Sequence, residues 1–129
     1  MKTTQVESAQ HHTTPVVVTL SGCSKEDAHT VFRVLRQTFP CDRADDDVPQ
    51  YGPHPHATVW TATYEVSPER VPVGPQQLSE SVETMLQGGY WGVDRMLETL
   101  GAAFDVQDEG MAAGDQEKEV QVRLMSGSR

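Results

Sequence analysis

Basic residues are scarce in this sequence. Ten Lys and Arg residues stand against nineteen Asp and Glu residues, which gives a formal net charge of −9 and an isoelectric point near 4.8. Proteins that bind nucleic acid or an anionic membrane through charge need a basic face. The acidic balance therefore argues against direct nucleic-acid binding and against charge-driven membrane binding.

Cysteines and long apolar runs are scarce as well. No apolar run approaches the roughly 18 residues of a membrane-spanning helix, and the first residues lack the apolar segment of an export signal. The two cysteines, Cys23 and Cys41, flank a predicted helix of roughly 22 Å, whereas a disulfide needs Cα atoms within about 7 Å. We therefore expect reduced thiols and a cytoplasmic location.

The sequence patterns of common catalytic and metal sites are missing. The chain has no phosphate-binding loop, no GxSxG, no HExxH and no CxxC. His54 and His56 lie near Cys41 and Asp45 to Asp47, but their spacing is not that of a known metal site. Cys23 precedes a predicted helix, where a thiol pKa can be lowered, but the nearest histidine lies about one and a half turns along that helix. We assign no catalytic residue and expect neither a metal nor a cofactor.

The length of 129 residues is that of one domain, and an apolar fraction of 36% supports one hydrophobic core. Residues 1–14 are polar and predict a disordered N-terminal tail. Residues 15–126 are then expected to form a single domain of mixed α and β structure.

The first half of this domain predicts strand, helix, loop and strand. The β-branched run 16–20 indicates a strand, and a capping pattern that begins at Ser24 indicates the helix. Residues 41–56 are acidic and proline-rich, which is typical of a long loop. Residues 57–66 alternate between apolar and polar side chains and predict a second strand.

The second half repeats the pattern of the first, with a second acidic loop near residues 105–119. The halves, about 15–66 and 78–125, therefore predict an internal duplication of two tandem βαβ units. Two such units give a ferredoxin-like βαββαβ fold, with two helices on one face of a four-stranded antiparallel sheet. The helix stripes that carry the repeat are Ala28, Val31, Phe32, Leu35 and Phe39, and, at an offset of 65, Val93, Met96, Leu97, Leu100 and Phe104.

Residues 78–87 fit two secondary structures. A helix would begin after Pro75 and end at Gly88, whereas a strand would turn Val82, Thr84 and Leu86 inward. We predict the strand, because the repeat places one there.

The open face of the predicted sheet suggests a contact surface. It mixes small apolar and neutral polar side chains and has one formal charge on an otherwise acidic molecule, which is typical of a face that meets a partner. Thr19, Thr61, Thr63, Gln121 and Arg123 are therefore candidate binding residues. The whole predicted face comprises Val17, Thr19, Val59, Thr61, Thr63, Met85, Gln121 and Arg123.

Tyr90 and Trp91 form a second candidate binding site, because two aromatic residues between glycines open the second predicted helix. The alternative is structural: one ring packs beneath the helix as a hydrophobic staple, and the glycines provide the turn.

Three functions are compatible with these features. The leading hypothesis is a non-enzymatic binding or regulatory module that forms a homodimer, or binds a protein partner, through its open sheet face. The first alternative is a small enzyme of the dimeric α/β-barrel kind, with a pocket lined by Trp60, Tyr64 or Trp91. The second is an acidic nucleic-acid mimic that uses Asp45 to Asp47 and residues 105–119 to occupy a basic partner.

Overall fold

Seven regular elements build the fold in a computed structural model, which describes residues 13–43, 48–54, 58–69 and 71–127. Five of them are strands that form one antiparallel sheet in the order β2-β1-β3-β5-β4. In chain order the elements are β1 (Thr14–Ser21), α1 (Lys25–Thr38), β2 (Trp60–Val66), β3 (Val82–Gly89), α2 (Tyr90–Ala103), β4 (Phe104–Ala113) and β5 (Glu117–Ser126).

Three features of the sequence analysis lie outside the described residues. They are residues 1–12 of the predicted tail, the acidic run Asp45 to Asp47, and His56. The last two residues of the predicted tail are described, and β1 begins at Thr14.

The helices form where the sequence predicts them. The Ser24 hydroxyl accepts a hydrogen bond from the Asp27 N–H at 3.1 Å, which caps α1 and satisfies one of its free amide groups. The apolar stripes of both helices are confirmed as core, since every predicted position is buried except Leu97, which is half-buried. In the described part of the chain, no helix combines the length and apolar content needed to cross a membrane.

The sheet buries one of its faces beneath both helices, which also contact each other. In β1, Val16, Val18 and Leu20 are fully buried, whereas Val17 and Thr19 between them are only half-buried. This alternation follows from the two-residue period of a strand, which turns successive side chains to opposite faces. The face that the helices leave uncovered is called the open face below.

The predicted ferredoxin-like fold built from two tandem βαβ repeats is wrong, although the mixed α and β class holds. A βαβ unit joins parallel strands through its helix. Here β1 and β2 are antiparallel neighbours, and the sheet has five strands rather than four.

A long returning segment after α1 explains the antiparallel arrangement. Cys41, just beyond the helix, bridges to Tyr64, which pairs with Val16 near the start of β1. The chain then leads to Trp60, which pairs with Leu20 at the other end of β1. Because β2 starts at that far end, it runs back in the opposite direction to β1.

In the second half, β4 is the returning segment, and it occupies residues for which the sequence predicts an acidic loop. Only Phe104 is buried and Val106 half-buried in this strand, so it lacks the sustained alternation of a half-buried strand. A bulge at Glu109 interrupts its pairing with β5, and Gly110 takes a φ of 147°, which is open to glycine.

Segment 78–87, for which the sequence fits either a helix or a strand, is a strand from Val82 onward, as predicted. Its residues Val82, Thr84 and Leu86 turn inward. The last strands of the two halves, β2 and β5, also pair with β1 and β3 in corresponding registers, although the internal duplication itself stays a prediction. The corresponding pairs are Val16–Tyr64, Val18–Ala62 and Leu20–Trp60, and then Val82–Leu124, Thr84–Val122 and Leu86–Val120.

Candidate binding surface

Side chains of the open face line up in rows across the sheet, because antiparallel pairing sets them directly opposite one another. The central row crosses all five strands through Thr61, Thr19, Met85, Gln121 and Gly110. Thr19 and Met85 are half-buried, and the other three residues are exposed. The central row therefore presents an uncharged band over the full width of the sheet.

The row on one side of it, called the lower row, holds a single charge. It runs through Thr63, Val17, Gln87, Glu119 and Ala112. Its only ionisable side chain, Glu119, is half-buried near one edge of the sheet. The uncharged band thus continues into most of the lower row.

The row on the other side, called the upper row, contains an ion pair and runs through Ser21, Glu83, Arg123 and Gln107. Arg123 Nε donates to Glu83 Oε2 at 2.8 Å, and Arg123 Nη2 lies 3.0 Å from Oε2 of Glu109, the residue in the bulge. The charge of Arg123 is therefore matched within its own chain.

The two carboxyl groups beside Arg123 ionise differently. A hydrogen bond from the Glu109 carboxyl, together with the nearby Arg123, lowers the pKa of Glu83 below its ordinary value of 4.5. The same hydrogen bond raises the pKa of Glu109 above that value. Glu83 hence holds its negative charge to lower pH than Glu109, as expected where two carboxyl groups share a proton.

A shallow depression of about 250 Å³ spans the central and upper rows. It offers hydroxyl, amide, thioether and carboxylate groups, which suit contact with polar and apolar side chains alike. It has no histidine or cysteine to act as a base or nucleophile. The lining residues are Thr19, Ser21, Glu83, Thr84, Met85 and Gln121.

Five of the seven predicted binding residues lie together on the open face. Thr19, Thr61 and Gln121 belong to the central row, Thr63 to the lower row and Arg123 to the upper row. The further face residue Val59 precedes β2 and is 55% exposed.

Tyr90 and Trp91 lie elsewhere, at the start of α2 on the helical side of the sheet. Their side chains are 38% and 42% exposed, so neither ring is buried beneath the helix as a staple. The Tyr90 hydroxyl donates to the Gly114 carbonyl, and the Lys118 ammonium, which pairs with Asp94 at 2.6 Å, lies 5.4 Å from the Tyr90 ring centroid. The Tyr90 hydroxyl thus links the start of α2 to the turn between β4 and β5 by a hydrogen bond.

The acidic residues of the open face are not among the predicted binding residues. Glu83 lies between two buried residues of β3, so strand alternation could have placed it there beside Met85. Glu109 could not be placed in this way, because it lies in the bulge of β4, where the sequence predicts a loop. With Glu119 of the lower row, the face has more than the one formal charge first assigned to it.

Two of the three aromatic residues suggested for an enzyme pocket, Trp60 and Tyr64, belong to the core. Trp60 is 4% exposed and donates its indole N–H to the Gln50 carbonyl at 2.9 Å. Tyr64 is fully buried, and its hydroxyl donates to the Phe32 carbonyl at 3.3 Å. Their polar atoms are thus already used by the fold.

The residues considered for thiol or metal chemistry form no reactive thiol and no metal site in the described part of the chain. Burial, with the carboxylates of Asp27 and Glu80 nearby, raises the pKa of the Cys23 thiol to about 12, so the thiol stays protonated at neutral pH. Among the described residues, which include Cys41 and His54, no cluster of His, Cys, Asp and Glu could hold a metal ion.

Comparison of the chain with protein-family models, curated proteins and solved structures finds no match. The functional proposal therefore rests on the geometry and charge of the open face.

Proposed function

We propose that this protein is a non-enzymatic binding module of the reducing cytoplasm that forms a homodimer through its open face. The observation that carries the proposal is the central row, which presents no charged side chain across five strands of a chain with a net charge of −9. Two unpaired thiols, Cys23 and Cys41, are consistent with the reducing compartment.

The size of the open face supports a second copy as its occupant. The five strands lie about 4.8 Å apart, and each is about eight residues long at about 3.3 Å per residue. The sheet therefore covers on the order of 600 Å² in projection. The accessible area of the protruding side chains exceeds this projection. A standard stable interface buries about 800 Å² per partner, so the face is of the size that one copy requires.

The charges of the face favour one orientation of the two copies. A two-fold axis along the central row sets the upper row of one protomer over the lower row of its partner. Arg123 of one protomer then faces Glu119 of the other, and Glu83 faces the neutral Gln87. This orientation brings no like charges of these two rows together, which suits an acidic protein that otherwise repels its own copies.

Charge substitutions on the two faces of the molecule test the proposal. Thr61→Glu places a carboxylate in the central row opposite the same substitution in the partner, while Gln37→Glu adds the same charge on the exposed side of α1. We expect Thr61→Glu to raise the dimer dissociation constant at least about tenfold and Gln37→Glu to change it less than about twofold.

Sedimentation equilibrium measures both dissociation constants, and circular dichroism melting checks that each variant is folded. Equal dissociation constants for folded Thr61→Glu and the unmodified protein would refute the open face as the dimer interface.

A further inference from the structure

The two edges of the sheet differ in how their backbone groups are satisfied. The outer edge of β2 is covered by residues 40–43. Thr63 donates its N–H to the Asp42 carboxylate at 2.9 Å and accepts the Asp42 N–H at 3.0 Å, while Glu65 donates its N–H to the Pro40 carbonyl at 3.0 Å. This edge therefore has little capacity to pair with another strand.

The outer edge of β4 has no such cover. Within the described ranges, no backbone group of this edge over residues 105–113 bonds to another backbone group, and the Gly110 N–H donates to the Asp108 carboxylate at 3.1 Å. All of these residues are exposed except Val106, which is half-buried, and the strand is ten residues long. A long edge with free N–H and C=O groups is the usual template for a strand from another chain.

The charges along β4 select the kind of strand that can pair there. Asp105 and Asp108 form no ion pair within the described residues, whereas Glu109 is matched by Arg123. Between Phe104 and Ser126 the chain carries six acidic and two basic residues. A second copy of β4 would bring its own carboxylates against these, which disfavours pairing between copies.

We propose that the outer edge of β4 binds an extended, basic segment of a partner protein as a sixth strand of the sheet. Backbone hydrogen bonds supply the pairing, and Lys or Arg side chains of the segment meet Asp105 on the open face and Asp108 on the helical face. An apolar side chain of the segment packs beside the half-buried Val106. The backbone groups that pair at this edge lie in the plane of the sheet, so a homodimer formed through the side chains of the open face leaves them accessible.

Fluorescence anisotropy with a defined peptide tests this site. The probe is a fluorescein-labelled lysine–valine peptide with the ten-residue length of β4, which repeats Lys-Lys-Val so that both of its faces carry lysine. The assay uses about 0.15 M salt to screen distant charges. A second probe has the same sequence with N-methyl groups on alternate amides of its pairing edge, which removes hydrogen-bond donors without changing the charge. We expect the first probe to bind with a micromolar dissociation constant and the second at least about tenfold more weakly.

Two protein variants separate the role of β4 from that of overall charge. The double variant Asp105→Asn and Asp108→Asn removes two charges from the edge, and the amide oxygen that it introduces at position 108 can still accept the bulge hydrogen bond from the Gly110 N–H. The control variant Glu26→Gln and Glu80→Gln removes two charges from exposed positions outside β4 and β5. We expect the first variant to weaken binding of the lysine–valine peptide at least about tenfold and the control to weaken it less than about twofold.

Three results would overturn the proposal. They are no binding of the peptide at about 100 µM protein, equal binding of the N-methylated peptide, and equal weakening by the edge and control variants. The second and third would reveal attraction by net charge alone. Because the backbone groups that pair with the peptide lie in the plane of the sheet, loss of the homodimer in Thr61→Glu leaves peptide binding unchanged.

Discussion

Thr19 and Met85 lie directly opposite each other on β1 and β3, at the middle of the central row. β1 belongs to the first half of the chain and β3 to the second, so the centre of the open face lies where the two halves meet. Thr61 lies on one side of this pair and Gln121 on the other. The middle of the proposed dimer interface is therefore neutral, although the chain as a whole is strongly acidic.

Truncation of two leucines on α2 should separate core positions from partly exposed ones. Leu100 is fully buried, whereas Leu97 is half-buried against the same core. We expect Leu100→Ala to lower the free energy of unfolding by about 2–5 kcal/mol, and Leu97→Ala to lower it by less than about 2 kcal/mol. Urea denaturation at one fixed protein concentration measures both, because dimerisation makes stability depend on concentration. A loss below about 1 kcal/mol for Leu100→Ala would show that this stripe is not core.

The same substitution at two glycines should have opposite effects. A Cβ atom at Gly88 would lie 2.6 Å from the Pro15 carbonyl oxygen, whereas a Cβ atom at Gly101 in α2 would meet nothing within 4 Å. We expect Gly88→Ala to destabilise the protein by about 1–3 kcal/mol because backbone must move. Gly101→Ala should stabilise it by about 0.5–1 kcal/mol, since alanine loses less entropy in a helix. Thermal melting of both variants gives the signs, and the same sign for both would contradict the β1–β3 packing described above.

The local elements could be predicted from the sequence because their signals are local. The Ser24 cap, the helix stripes and the two-residue period of the strands each involve residues within a few positions of one another. The same period placed Thr19, Thr61 and Gln121 on one face. These predictions did not depend on the order of the strands in the sheet.

The strand order could not be predicted in the same way, because it depends on pairing between distant residues. A strand, a helix and a second strand fit either a parallel crossover or an antiparallel return, and the spacing of apolar residues is the same in both. The two differ in whether the segment after the helix runs back along the sheet before the next strand begins, and one such segment is the exposed strand β4. Because the sequence does not predict β4, it also does not predict the bulge at Glu109 or the contact of Glu109 with Arg123.

Replacement of Glu109 by glutamine should change the pH dependence of stability. The pKa of Glu109 is raised in the folded protein, so its stabilising contribution is present below the ordinary value of 4.5 and is lost as the pH rises through the raised value. Glu83, with a lowered pKa, behaves oppositely: its contribution is present above 4.5 and is lost as the pH falls through the lowered value. An amide in place of the Glu109 carboxyl keeps a hydrogen-bond donor at every pH.

We therefore expect the melting temperature of Glu109→Gln, relative to that of the unmodified protein, to rise between about pH 4 and about pH 7. Parallel scans by differential scanning calorimetry measure this difference. Glu80→Gln is the control, because Glu80 makes no ion pair with Arg123 within the described residues. A difference that falls with increasing pH would contradict the hydrogen bond between Glu83 and Glu109.

Sedimentation equilibrium of the unmodified protein tests the central proposal most directly. Between about 1 µM and about 100 µM, at about 0.15 M salt, the homodimer predicts a weight-average mass that rises from that of one chain, 14.2 kDa, toward twice that value. The mid-point should lie in the micromolar range, because the face is of standard interface size but only moderately apolar. A single species of 14.2 kDa at about 100 µM would contradict the proposed function.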